Sequence, residues 1–402
     1  MQAYDELIHW ATDQGIEVHG IEAKMMPGRG LGMVASKDIE ANERLIYVPT
    51  SSLRSLTTVR SKIRHALPPP APNNKGTPVH ALLAADLTLE TPFAAIKYSA
   101  WHAIVPTRDE IFSSLPLAWP PSDYDKLHSL LPFQARTHLS KQKAKFEKDW
   151  ELIRDVVFPA LEMPPNRGTT YKQRFLYNWL LVNTRTFYHE TPKTERLSKD
   201  DKMILQPVAD LLNHADEGCE VSFDLACFTI TADRDYKQGE EICICYGRHS
   251  NDFLMVEYGF CPEENKWDEV CIDEVVLEEM TNEQKQKLEE KGFLGGYMID
   301  ERTPGGCYRT RVALMLKCVS SAEWERLVDE GEDGGEEVKR LVDRVVVKVL
   351  KKYLKKCKGA IGELKQLGSS AEMVLKRWRQ IQKAVEDSLG ELELVVVDDR
   401  SD

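Results

Sequence analysis

The chain has 402 residues, long enough for two domains, and with 42% of them apolar and 29% charged it has an ordinary globular balance that excludes disorder as the main state. A formal charge of −12 argues against nonspecific binding to nucleic acid, which needs a basic face to neutralise phosphates, and suits a basic protein partner better. No stretch approaches the roughly eighteen apolar residues of a membrane span, and Asp5 and Glu6 stand where a signal peptide would be basic, so a cytosolic or nuclear protein is expected. All nine cysteines lie at or after Cys219 without regular spacing, which predicts free and mostly buried thiols rather than a disulfide framework.

In chain order, Leu7, Ile8 and Ala11 share one face of a helix over 4–12 that Gly15 ends. Residues 18–26 read as a strand. Gly28-Arg29-Gly30-Leu31-Gly32 follows as a turn whose glycines permit positive φ and let backbone amides approach a ligand, although a plain hairpin turn has the same pattern. Strands are predicted over 31–35 and 44–48. The proline-rich stretch 68–76 reads as an exposed loop, because proline removes donors and fixes φ. From Val79 to about Phe187 the periodicity is helical, with helices over 124–131, 141–158 and 172–183 cut short by prolines. Short strands return over 205–212, 221–224, 227–231 and 241–245. Beyond Cys261, helical patterns cover 272–292, 308–318, 336–354 and 372–388, with a mobile acidic loop expected at 329–335. The run Lys348, Lys351, Lys352, Lys355, Lys356 and Lys358 reads as a solvated helix face rather than a partner-binding surface.

The densest chemistry lies between residues 206 and 261. An apolar run ends in Asn213-His214; then come Gly239-Glu240-Glu241-Ile242, leading to Tyr246-Gly247, and Tyr258-Gly259-Phe260. An Asn-His pair, two Tyr-Gly pairs and a terminal aromatic within about fifty residues do not describe an ordinary core segment.

These motifs, with Gly28-Arg29-Gly30-Leu31-Gly32 far upstream, resemble a SET-domain methyltransferase of the Rubisco large-subunit methyltransferase-like group of protein lysine methyltransferases. The resemblance implies an α+β fold. Its parts are the N-terminal part of a β-rich SET domain over 1–86, a helical insertion over 87–200, the C-terminal part with the cofactor and catalytic motifs over 201–265, and an all-α, substrate-docking-like domain over 266–402. It implies methyl transfer from S-adenosylmethionine to a lysine of a non-histone protein, with ribosomal or translation proteins as the target class. A protein-histidine methyltransferase and a noncatalytic module that keeps the fold are the alternatives.

The reaction needs a neutral lysine amine, and removing its proton at neutral pH costs about 4 kcal/mol. A dry aromatic channel lowers that cost by disfavouring the ammonium, and it aligns the nitrogen with the methyl. By resemblance, Tyr246 places its hydroxyl beside the sulfonium methyl, while Phe187 and Tyr258 wall the lysine channel. Phe223 stands where some relatives carry a third tyrosine, which leaves the number of methyls open. Asn213 and His214 are implied to contact the methionine moiety and adenine partly through their backbones, with Gly30, Leu31 and Gly32 bracketing the cofactor from the other half. Arg185 is implied to pair with the cofactor carboxylate as a fork of donors, the alternative being a surface salt bridge, and Phe260 to cover the adenine. No zinc-spaced cysteine cluster follows Tyr258, and Cys243 and Cys245 read as core thiols on one strand face, so no metal is expected.

Overall fold

A computed structural model describes residues 2–67, 78–90, 98–163, 168–190, 195 and 202–398. The proline-rich stretch 68–76 lies outside the described residues. The chain forms two compact units, one of Met1–Ala118 with Lys141–Arg248 and one of Trp119–Ser140 with His249–Asp402. The helical stretch 87–200 is thereby shared between them.

In the first unit a sheet runs in the order β1 (Glu17–Val18), β4 (Arg44–Pro49), β9 (Cys227–Thr231), β8 (Glu220–Phe223). A second runs β2 (Ile21–Met26), β3 (Gly30–Ala35), β10 (Glu241–Ile244), β7 (Asn213–His214). A separate pair joins β5 (Thr186–Tyr188) to β6 (Met203–Leu205). Each four-stranded sheet therefore combines strands from both ends of the unit's sequence. The strand expected over 18–26 divides between the sheets, because Gly20 at φ +67° turns the chain after β1 has paired with β4 and before β2 pairs with β3. The strand expected over 205–212 also fails. Pro207 has no N–H for a ladder, and Val208 takes φ 81°, ψ −55°, a strained γ-turn conformation for a β-branched residue, before the tight turn Ala209–Leu211.

Helices close the core of this unit. Val79–Thr88 is buried on every side and packs against the helix Gly168–Arg185. The helix expected over 141–158 starts earlier, at Phe133, runs to Leu152, and continues through a wider turn Ile153–Val157 into Phe158–Ala160. Pro159 explains the widening, since it cannot donate to a carbonyl in the preceding turn.

The second unit is almost all helix. Asn251–Tyr258 is capped at its start by Ser250, which accepts from the Phe253 amide, and ended by Gly259 at φ 78°. The pattern over 272–292 separates into Asp273–Glu278 and Asn282–Glu290, because Thr281 and Gln284 form a capping box that starts a new helix. Ser321–Glu330 ends at Gly331 in the left-handed region, and Gly335–Leu364 begins just after, so the acidic loop shortens to a turn. That long helix packs against Glu372–Asp398. Four of its lysines are ion-paired within the unit: Lys348 and Lys352 meet Glu279, Lys351 meets Glu393, and Lys356 meets Glu274. The nine cysteines are free, but only Cys219, Cys261, Cys271 and Cys357 are buried; Cys245 lies past the end of β10 and is exposed, not a core thiol.

Candidate active site

The glycine turn connects β2 to β3, with Gly28 at φ +70° and Gly30 at φ +72°. An ideal Cβ built on either meets nothing within 4 Å, so their role is conformational and their outer face is open. Gly32 differs. Its φ is ordinary, but a Cβ there would lie 2.6 Å from Asn213 Nδ2, 2.9 Å from Met26 Cγ and 3.0 Å from Glu241 Oε1. The missing side chain is what lets the Asn213 amide and the Glu241 carboxylate reach the turn.

Asn213 and His214 form β7, which pairs in parallel with Cys243 and Ile244 of β10. Asn213 Nδ2 donates to Glu241 Oε1 at 2.9 Å. Arg29, at the tip of the turn, donates to Glu241 Oε2 and to the His214 carbonyl, each at 2.7 Å. The sequence had offered Arg29 and Glu241 only as parts of motifs; here they tie the glycine turn, β7 and β10 into one cluster. Gly218 closes the loop after β7, where a Cβ would lie 2.4 Å from the Cys243 carbonyl oxygen.

Tyr246 lies two residues beyond β10, half-buried against the core. Its backbone N–H donates to His214 Nδ1 at 3.1 Å, which places that imidazole's acceptor nitrogen, and the two rings lie 5.2 Å apart. Its hydroxyl donates to the Leu212 carbonyl at 2.7 Å. With the proton committed there, the phenolic oxygen acts toward any other group as an acceptor.

Arg185 ends the helix Gly168–Arg185 and is held by Asp210, donating from Nη1 to the Asp210 carbonyl at 2.7 Å and to its carboxylate at 3.1 Å. The Trp101 indole donates to the same carboxylate oxygen at 2.9 Å. Burial pushes the Asp210 carboxyl above its ordinary range, against the opposing pull of Arg185 and Trp101. This is no surface salt bridge, and Arg185 Nε is buried without a hydrogen-bond partner among the described residues. A single acid inside an apolar run was the sequence signal for Asp210, since such a carboxylate needs a partner.

Phe187, on β5, and Phe223, at the end of β8, meet around the buried Phe228: Phe187 edge-on at 5.3 Å, Phe223 parallel at 6.4 Å. Phe223 also faces Tyr188 at 6.1 Å and remains 39% exposed. Tyr258 and Phe260 belong to the second unit, their rings 6.3 Å apart at the end of the helix Asn251–Tyr258. Burial, and then the Glu257 charge, raise the Tyr258 hydroxyl to about 12, so it keeps its proton at neutral pH. Among the described residues, no group of three or more His, Cys, Asp or Glu side chains is arranged to hold a metal, and no helix is long and apolar enough to cross a membrane.

The SET domain family model matches residues 30–247, and a model described as the ribosomal lysine N-methyltransferase 2 C-terminal domain matches residues 268–393. The "Ribosomal lysine N-methyltransferase set11" of Schizosaccharomyces pombe is 26% identical over 80% of this chain and 77% of its own length. The "Ribosomal lysine N-methyltransferase 2" of Saccharomyces cerevisiae is 28% identical over 54% of this chain and 52% of its own. Among solved structures, Rubisco LSMT bound to AdoMet superposes with a TM-score of 0.63 at 16% identity, covering 98% of this chain and 92% of that one, a likeness of fold.

Proposed function

Because the chain belongs to the SET-domain family, we propose that it is a protein-lysine N-methyltransferase using S-adenosylmethionine, with a ribosomal or other translation protein as acceptor. Two relatives named as ribosomal lysine methyltransferases and the match of the C-terminal helices to the domain of one of them support the acceptor class. Such an acceptor is consistent with work in the cytoplasm or nucleus and with nine free thiols.

The residues present fit the cofactor. The backbone at Gly30 faces open space, and Arg185 keeps buried donor capacity beside its Asp210 anchor, as a carboxylate ligand requires. In this reading Asn213, His214, Gly30, Leu31 and Gly32 hold the methionine and adenosine parts, Arg185 binds the carboxylate, and Phe260 covers the adenine. When bound, S-adenosylmethionine supplies an electrophilic sulfonium methyl. Phe187, Phe223 and Tyr258 exclude water around the incoming lysine, so that the ammonium is disfavoured and its proton is lost to solvent. Tyr246 then steadies the methyl and the amine in line. An aromatic at Phe187 supports lysine over histidine as the accepting residue.

The observation that carries the mechanism is the Tyr246 hydroxyl, held by its donation to the Leu212 carbonyl at 2.7 Å. Tyr246→Phe keeps the ring and its packing. A tyrosine with only a core role would lose one hydrogen bond, about 1 kcal/mol of stability, and little turnover. We expect instead a fall of about a hundredfold in single-turnover methylation at saturating cofactor, with affinity for S-adenosylmethionine near wild type. A folded variant with normal turnover removes Tyr246 from catalysis.

A further inference from the structure

The last helix of the second unit grips the segment that carries Tyr258 and Phe260. Arg377, on Glu372–Asp398, is fully buried, as is the Asp252 side chain it meets. Its Nε and Nη2 donate to the two Asp252 carboxylate oxygens, each at 3.1 Å, a bidentate pair at the start of the helix Asn251–Tyr258. Its Nη1 donates to Asp268 Oδ2 at 2.6 Å, and Nη2 also reaches the Glu269 carbonyl at 3.1 Å. Asp268 in turn accepts from the Asn251 amide at 2.8 Å.

One turn further on, Gln380 works from the same helix. Its Nε2 donates to the Pro262 carbonyl at 2.5 Å, and its Oε1 accepts from Asn251 Nδ2 at 3.0 Å and Cys261 Sγ at 2.9 Å. Tyr258 and Phe260 therefore lie between two anchor points, Asn251-Asp252 and Cys261-Pro262, that are held by side chains three residues apart on one helix. Burying an arginine between carboxylates is a poor way to gain stability, because desolvation cancels much of the attraction and apolar packing serves as well or better. What a bidentate pair adds is a defined geometry.

We infer that Arg377 and Gln380 are positioning residues for methyl transfer, setting the place of Tyr258 and Phe260 from the far end of the chain. This rests on the reading of Tyr258 as a wall of the lysine channel. A channel wall that shifts changes both the alignment of the amine and the room for an amine that already bears methyls.

The test compares Gln380→Ala, Arg377→Lys and Tyr258→Ala with wild type, on S-adenosylmethionine and a pool of unmethylated ribosomal proteins made in bacteria. Mass spectrometry reads turnover and the proportions of mono-, di- and trimethyl product, beside a thermal melt. We expect Gln380→Ala and Arg377→Lys to lose about tenfold in kcat and to shift the product proportions in the same direction as Tyr258→Ala. A lower melting temperature with unchanged kcat and product proportions, in either variant, overturns the inference and leaves the cluster structural. If Arg377→Lys does not fold, Gln380→Ala decides, since it leaves the Arg377 cluster intact. Should Tyr258→Ala itself leave turnover and products unchanged, the channel reading fails on its own account.

Discussion

His80 is enclosed by the first unit, its ring stacked on Trp179 at 4.2 Å and its Nε2 donating to the Trp179 carbonyl at 2.9 Å. Burial, with the Lys145 charge, lowers its pKa to about 3. The folded protein thus holds His80 neutral where the unfolded chain, with an ordinary histidine pKa near ~6.5, takes up a proton. The folded value lies below the unfolded one, so stability is full above about pH 6.5, falls as the pH drops, and reaches its floor near pH 3. At pH 5 the loss from this residue is roughly 2 kcal/mol. His80→Phe keeps a ring against Trp179 and has no proton to gain. Urea unfolding at pH 7.5 and 5 is expected to show a smaller acid loss in the variant by about that amount, and identical pH dependence in both proteins would refute the assignment.

The turn between β2 and β3 assigns different work to glycines that look alike in sequence. Gly28→Ala places a side chain in the left-handed region with open space around it, which costs about 1 kcal/mol of stability and little else. Gly32→Ala forces its Cβ against Asn213 Nδ2 and Glu241 Oε1, and so displaces the side chain that the proposed cofactor site depends on. Calorimetry is expected to show affinity for S-adenosylmethionine within about threefold of wild type for the first and at least about tenfold weaker for the second, the difference between no lost hydrogen bond and one or more. The opposite order would mean that the backbone conformation at Gly28, rather than the Asn213 amide, governs the ligand's affinity. The positive φ at Val208 belongs to the same scale: it turns the chain beyond the end of β6, just before Asp210 meets Arg185 and Trp101.

At the scale of the whole molecule, the C-terminal helices are expected to form a substrate-docking-like domain, and the last of them is also built into its own unit. Trp378, buried, donates to the Leu130 carbonyl at 2.7 Å, and Arg377 is ion-paired with both Asp252 and Asp268. Deleting residues 368–402 leaves those carboxylates without their cation, which typically costs about 3–5 kcal/mol, and uncovers the apolar face of Gly335–Leu364. The truncated chain is expected to lose its cooperative melt by circular dichroism, and to lose methylation of an intact acceptor and of a short lysine peptide alike. A truncated protein that stays folded and still methylates the peptide but not the intact acceptor would restore docking as the helix's main task.

The sequence by itself determined whatever depends on near neighbours: the helix over 4–12, the strands at 44–48 and 227–231, the glycine turn, and the order of motifs that led to a SET fold. Periodicity and turn chemistry act over a few residues, so they can be read along the chain. It also misjudged where local rules compete, as at Val208, where an apolar run looked like a strand until proline and a positive φ broke it. Tertiary structure alone decided the partners. Arg29 finds Glu241, Arg185 finds Asp210, Arg377 finds Asp252, and Trp119–Ser140 joins the second unit. These choices join residues far apart in sequence, and a charged side chain carries no local mark of which opposite charge will share its burial.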